Sequence, residues 1–344
     1  MRDVVHGYMR ADSPIIILSS ERSGSNLLRS LFSNHSQVDG PVAPQFTDPF
    51  LKNLHRYGRI ENRPNAVRLI EDMLLYSKHR YSAWDIEATG EAIYEKYQPR
   101  SFFGVLFALY SEKSLAGGKV TFFCKENILQ KHALAWHREF PRTKYIYLLR
   151  DPRDVVSSWK KKPLKHMATN YQTATRWEEE QRYFLGLLMG FDLPIVTSRY
   201  EDLVKNPASE MTKILEACDL PVEVACFETQ KNAQGAGTHV YWENINKPIV
   251  AGNAGRFSER LSTKEIRVIE SICADVMCEL GYSCLTDASW RPKCGFTVLN
   301  KIRGIVRLLM NRDHVFRHTR DFINSRRKLF ERISKHVAAD DNSK

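Results

Sequence analysis

The stretch PIIILSSERSGSNLLRSLF (Pro14–Phe32) decides the fold. Its unbroken apolar run reads as a strand buried on both faces, and GSNLLRSLFSNH as the helix that follows. A strand that breaks into a glycine turn and then a helix aims several backbone N–H groups, and the positive end of the helix dipole, at one place. Gly24 lets the backbone approach an anion closely, Ser25 and Asn26 can donate from their side chains, and Arg22 supplies a charge with a two-pronged donor. The ATPase loop G-x-x-x-x-G-K needs a lysine after its second glycine, whereas Gly24 is followed by serine in a shorter turn. The turn suits phosphate or sulfate and lacks the usual triphosphate–magnesium parts. A plain capped helix start is the structural alternative.

Working outward, the same alternation recurs. Residues 64–80 and 90–113 carry helical patterns, and KVTFFCKEN (Lys119–Asn127) reads as a second strand before the helix ILQKHALAWHREF. KYIYLLR (Lys144–Arg150) is a third strand, and LPIVTSRYEDL a fourth that leads into short helices. Further helices are predicted over 170–190, 207–218 and 262–280. Strands that alternate with helices and read as continuous apolar runs predict an α/β fold, a central parallel β-sheet flanked by helices in three layers.

A second anion site is predicted at YLLRDPRDVVSSW. Arg150 stands where the strand stops, Asp151 and Pro152 are suited to the N-cap and first position of the next helix, and Ser158 lies on that helix. Arg150 and Ser158 can clamp a second phosphate. Arg153 and Asp154 are read as surface or capping residues.

The arginine-serine-glycine loop followed some 130 residues later by R-D-P-R-D-V-V-x-S resembles the sulfotransferases that use 3′-phosphoadenosine-5′-phosphosulfate (PAPS). The resemblance spans about residues 14–282 and implies a P-loop-like fold. It implies that Arg22, Ser23, Gly24, Ser25 and Asn26 hold the 5′-phosphosulfate and that Arg150 and Ser158 hold the 3′-phosphate. SRYEDLVKNP is similar to the family segment whose tyrosine, here Tyr200, lies against the adenine. GNAGRFSERLS is similar to the late loop that closes over the nucleotide, which makes Gly252, Asn253, Gly255 and Arg256 candidates. Val250-Ala251-Gly252 departs from the arginine-lysine-glycine opening of that loop, and Leu27 stands where many members place a tryptophan.

The resemblance further implies an in-line displacement, with Arg22 and Lys125 stabilising charge on the leaving oxygen and no metal required. The general base is not supplied by the family pattern. Asn127 occupies the position of the histidine found two residues after the lysine in animal cytosolic members, and Pro44 and Gln45 fall where other branches carry a glutamate. Asp48 and Glu126 are the candidates, ahead of His35 and His55. A turn residue before Pro49 and a strand-to-helix turn are the structural readings of the two carboxylates. A nucleotide-binding relative without catalysis, or a kinase on the same topology, are the competing functions.

Composition bounds the rest. With 43% hydrophobic and 26% charged residues over 344 positions, the chain reads as an ordinary globular protein. No apolar run approaches the roughly 20 residues of a membrane span, and the first residues show no signal-peptide core, so a cytoplasmic location is expected. Seven scattered cysteines without a C-x-x-C pair predict reduced thiols. The net charge is +11, of which residues 291–344 carry +9, so nucleic acid is not an expected partner of the body of the chain. The chain is divided accordingly into a sulfotransferase domain, 1–290, and a basic amphipathic helical extension, 291–344. That tail suits either packing on the domain or peripheral contact with an anionic membrane or an acidic partner. The acceptor favoured by this reading is a hydroxyl of a carbohydrate or glycolipid.

Overall fold

Side-chain parity along the strands divides the core into two halves. The computed structural model describes residues 13–78, 83–160, 169–229, 248–287 and 290, and within the tail 299–300, 302–303, 306, 324 and 326–334. Five strands, β1 (Ile15–Leu18), β2 (Val38–Asp39), β3 (Thr121–Cys124), β4 (Lys144–Leu149) and β5 (Ile195–Arg199), form one sheet in the order β2-β3-β1-β4-β5. Every pairing is parallel, with Ile15 opposite Phe123 on one side and Lys144 on the other.

Ile16, Leu18, Phe122, Cys124, Tyr145, Tyr147 and Leu149 point to one face, and Ile15, Ile17, Phe123, Ile146 and Leu148 to the other. The first face is covered by α3 (Arg63–Lys78), α5 (Phe102–Ala116), α7 (Pro152–Lys160), α8 (Asn170–Gly190) and α11 (Thr263–Glu279). The second is covered by α1 (Ser25–Phe32), α9 (Tyr200–Lys205) and α10 (Pro207–Ala217). Each fully buried Ile, Leu or Phe contributes about 1.5–3 kcal/mol, which is why strands of four apolar residues suffice to hold three layers together.

Local chemistry accounts for the departures from the sequence reading. Residues 90–113 form two helices rather than one, α4 (Gly90–Tyr97) and α5. Gln98 turns into the left-handed region at φ 45°, Pro99 follows, and the Ser101 hydroxyl restarts the chain by accepting from Gly104 N at 2.8 Å. The segment after β3 begins as a 3-10 turn, Leu129–His132, before α6 (Ala133–Glu139). The sequence reading had four strands, and β2 is the fifth: its two residues are too short to leave a pattern.

The tail helix predicted near the end is helical at 326–334 and shares the larger core. Leu329 and Ile333 are buried there, the Phe330 ring lies 5.7 Å from that of Phe50, and Arg332 pairs with the buried Asp72. Most of the remaining tail lies outside the described residues. Among the described residues no helix is long and apolar enough to cross a membrane.

Candidate active site

In an open parallel sheet, ligands bind beyond the carboxyl ends of the strands, where adjacent connections leave in opposite directions. Here that crevice lies between β1 and β4, because the chain leaves β1 toward β3 and β2 and leaves β4 toward β5. Three segments meet at it.

The first is the turn Ser19–Gly24. Ser19 N donates to Gln130 Oε1 at 2.9 Å, and the Ser20 hydroxyl accepts from Gln181 Nε2 at 2.8 Å, which anchors the strand end from two neighbouring elements. Arg22 and Gly24 both take left-handed backbone, φ 73° and 97°. At Gly24 a Cβ would stand 2.3 Å from Tyr200 Cδ2, so only glycine fits between the turn and that ring. No side chain caps α1 among the described residues, and the hydroxyl of Ser23 is buried without a partner there. The start of α1 thus retains donor capacity for an anion.

The second is the end of β4 with α7. Asp151 caps α7 as predicted, accepting from Arg153 N at 2.8 Å. Arg150 donates to Arg22 O and to Asn253 O, both at 3.1 Å, and its guanidinium lies 3.9 Å over the Tyr200 ring. Its Nε is buried and has no partner among the described residues. Arg22 Nε donates to Ser158 Oγ at 3.2 Å, which joins the two sequence motifs directly. Tyr200 accepts from Asn253 Nδ2 at 2.8 Å, and Asp154 accepts from Gly255 N at 2.7 Å, so the late loop is tied to both. Burial pushes the Asp154 carboxyl above its usual range, against the pull of Arg150 and the Gly255 amide.

Arg153 and Asp154 are therefore not surface residues. Arg153 is buried between Asp151 and Glu270 with its guanidinium over Phe257. Of the remaining loop candidates, Arg256 turns outward to Glu259 at 3.1 Å, and Gly252 is exposed. Ser25 and Asn26 lie on the first turn of α1, beside Gly24.

The third segment follows β3. Lys125 Nζ donates to Asn127 Oδ1 at 3.4 Å, and Asn127 Nδ2 donates to Glu21 Oε1 at 3.1 Å. Gln45, itself left-handed at φ 65°, clamps this turn by donating to Lys125 O and accepting from Asn127 N, both at 3.0 Å. Burial lowers the Lys125 ammonium to about 8; Arg29 and Arg22 act in the same direction, while Glu21 and Glu126 oppose it.

The two carboxylates expected as bases are placed elsewhere in this neighbourhood. Glu126 is buried, accepting from Thr47 N and Oγ1 at 3.0 Å each and from the Tyr110 hydroxyl at 3.2 Å. Asp48, on α2 (Thr47–Lys52), pairs with Lys52 at 2.6 Å. His35 is buried with Nε2 against Pro221 O at 2.9 Å, and its Nδ1 accepts from Gln37 N at 3.0 Å. His55 is an exposed residue of the 3-10 turn Leu54–Arg56. Sequence reasoning missed Glu21 and the bridging role of Asn127, although Glu21 adjoins Arg22 in the decisive stretch.

A parallel sheet with two arginine-bearing turns at its switch point has the architecture of the P-loop-like class. The sulfotransferase family model matches residues 14–224, and the chain belongs to the sulfotransferase family. Among solved structures, the sulfotransferase domain from the curacin biosynthetic pathway is similar at 19% identity, covering 80% of this chain and 99% of that one with a TM-score of 0.50. The sulfotransferase domain of the Synechococcus PCC 7002 olefin synthase is 19% identical, covering 77% and 95%, with a TM-score of 0.48. Sulfotransferase STF9 from Mycobacterium avium is 13% identical, covering 82% and 79%, with a TM-score of 0.40. No curated protein sequence matches the chain.

Proposed function

We propose that the chain transfers the sulfuryl group of PAPS to a hydroxyl of a carbohydrate or glycolipid. One observation carries the donor assignment: Arg22, Ser158, Arg150 and Tyr200 form a single connected cluster around Gly24, with the Ser23 hydroxyl and Arg150 Nε still lacking partners among the described residues. Buried donors left open beside two arginines suit the oxygens of a doubly phosphorylated nucleotide. In this reading the α1 start, Ser23 and Arg22 hold the 5′ end. Arg150 and Ser158 lie at the 3′-phosphate, and Asn253 and Gly255 bring the late loop over the nucleotide.

The donor supplies an already activated sulfate, so the protein's tasks are positioning and absorbing charge. Arg22 and Lys125 face the oxygen on which negative charge grows as the sulfur–oxygen bond breaks. The wall beside Lys125 is built of amides and a carboxylate, from Gln45, Asn127 and Glu21, and this polar lining supports a hydroxyl-rich acceptor. Contact of the tail with an anionic membrane would fall to its charges, since Leu329 and Ile333 are already covered by the domain.

Calorimetric titration without divalent cations tests the donor assignment. Adenosine 3′,5′-bisphosphate should bind at least about tenfold tighter than 5′-AMP, corresponding to roughly 1.4 kcal/mol. Arg150→Ala should remove most of that preference. Equal affinity for the two nucleotides in the wild-type chain would sink the assignment.

A further inference from the structure

We propose that Glu21 is the group that takes the acceptor's proton; this rests on the sulfuryl-transfer reading above. Glu21 lies in the turn after β1, next to Arg22, and reaches across the crevice to the turn after β3. Both of its contacts fall on one oxygen: Oε1 accepts from Asn127 Nδ2 at 3.1 Å and pairs with Arg176 of α8 at 3.4 Å. Among the described residues no hydrogen bond reaches Oε2, and the side chain is 29% exposed, so this oxygen keeps its accepting capacity on a side chain that solvent reaches.

Asn127 gives the arrangement its chemical sense. Its amide oxygen accepts from Lys125 and its amide nitrogen donates to Glu21, which places one amide between a cation and a carboxylate. Lys125 is thereby kept off Glu21 and remains available to the leaving oxygen, while Arg176 holds Glu21 through Oε1 and leaves Oε2 for the acceptor. Arg176 also holds Glu180 at 2.8 Å, so the clamp on Glu21 is itself fixed. The cations acting on or pairing with Glu21 are thus Lys125 after β3 and Arg176 on α8.

The other nearby carboxylates are placed differently. Both oxygens of Glu126 accept hydrogen bonds inside the core, Asp154 is buried and holds the Gly255 amide, and Asp48 pairs with Lys52 and, among the described residues, has no hydrogen bond to the Lys125–Asn127 turn that Glu21 reaches. In the step itself a lone pair of the acceptor oxygen forms the new O–S bond. The S–O bond to the 5′-phosphate breaks, and its electron pair leaves with the bisphosphate. The acceptor's proton passes to Glu21 Oε2 and from there to solvent.

The test uses the full chain, sulfur-labelled PAPS, and three acceptors: methyl glucopyranoside, water and 4-nitrophenol. The last is already largely ionised at mildly alkaline pH and needs no base. Glu21→Gln keeps an oxygen for Asn127. It should lower transfer to the glucoside and to water by about 100-fold or more. It should also spare 4-nitrophenol and leave bisphosphate binding unchanged. Loss of all three activities together, or near-normal transfer to the glucoside, overturns the assignment. A wild-type chain that binds bisphosphate but transfers to none of the three also overturns it. Failure of wild-type binding is read separately and overturns the donor assignment instead. Should the Gln variant not fold, Glu21→Asp carries the test: a fall in glucoside transfer with 4-nitrophenol spared supports the role, and an equal fall in both refutes it.

Discussion

Lys125 is subject to opposed demands. It sits among Arg22 and Arg29, partly desolvated, so its ammonium is lowered to about 8, yet the chemistry asks it to be a cation. Its charged form is present below that value and lost as pH rises through it. The kcat/KM for the donor should therefore fall above about pH 8, and Lys125→Arg, whose guanidinium stays protonated, should move that fall to higher pH. A wild-type profile flat to pH 10 would remove Lys125 from the charge-stabilising role. Gly24 answers to a different constraint, a left-handed φ of 97° with the Tyr200 ring against its Cα. Gly24→Ala should cost about 1–3 kcal/mol from backbone strain alone. Displacement of Tyr200 should weaken bisphosphate binding further, measurable by denaturant melts and titration. At this scale the two strand-end turns were legible because each motif is local: a strand end, a glycine or proline and a helix start within a few positions. Glu21 was not, because its partners Asn127 and Arg176 stand far along the chain and meet it only once the sheet has formed.

At the scale of elements, the sheet and most helices were legible wherever apolar runs were long enough to show a period. β2 escaped because two residues have no period, and the break at 98–101 escaped because Phe102–Tyr110 is apolar on all sides and hides a helix start. Arg153 and Asp154 were misplaced for a related reason. Charged residues at a helix start read as solvated, and nothing local announces Glu270 or the Gly255 amide more than 100 positions away. Asp154 is in fact the tether between α7 and the late loop. Asp154→Ala should release the Gly255 N–H, seen as faster amide hydrogen exchange over 251–259, and should weaken bisphosphate binding without unfolding the sheet. Unchanged exchange there would show that Asn253, through Arg150 and Tyr200, holds the loop unaided.

On the scale of the whole molecule, segment 326–334 of the basic tail packs into the core of the domain. The charge count alone separates residues 291–344 from the rest, but hydrophobic burial follows contact rather than charge. Segment 326–334 sets Leu329 and Ile333 into the same core as α3, with Phe330 beside Phe50, while Arg332 meets an Asp72 that already accepts from the Tyr57 hydroxyl at 2.9 Å. An arginine paired to a buried carboxylate fixes where the helix lies, and the two aliphatic side chains supply the adhesion. Leu329→Ala should cost about 2–5 kcal/mol, the range for a large aliphatic removed from a packed core. Surface changes such as Arg327→Ala should stay within about 0.5 kcal/mol. Chemical denaturation followed by circular dichroism separates the two: a single transition moved to lower denaturant by Leu329→Ala means the tail folds with the domain. A normal main transition with a separate early loss of helix would mean that 326–334 docks on a domain already stable without it.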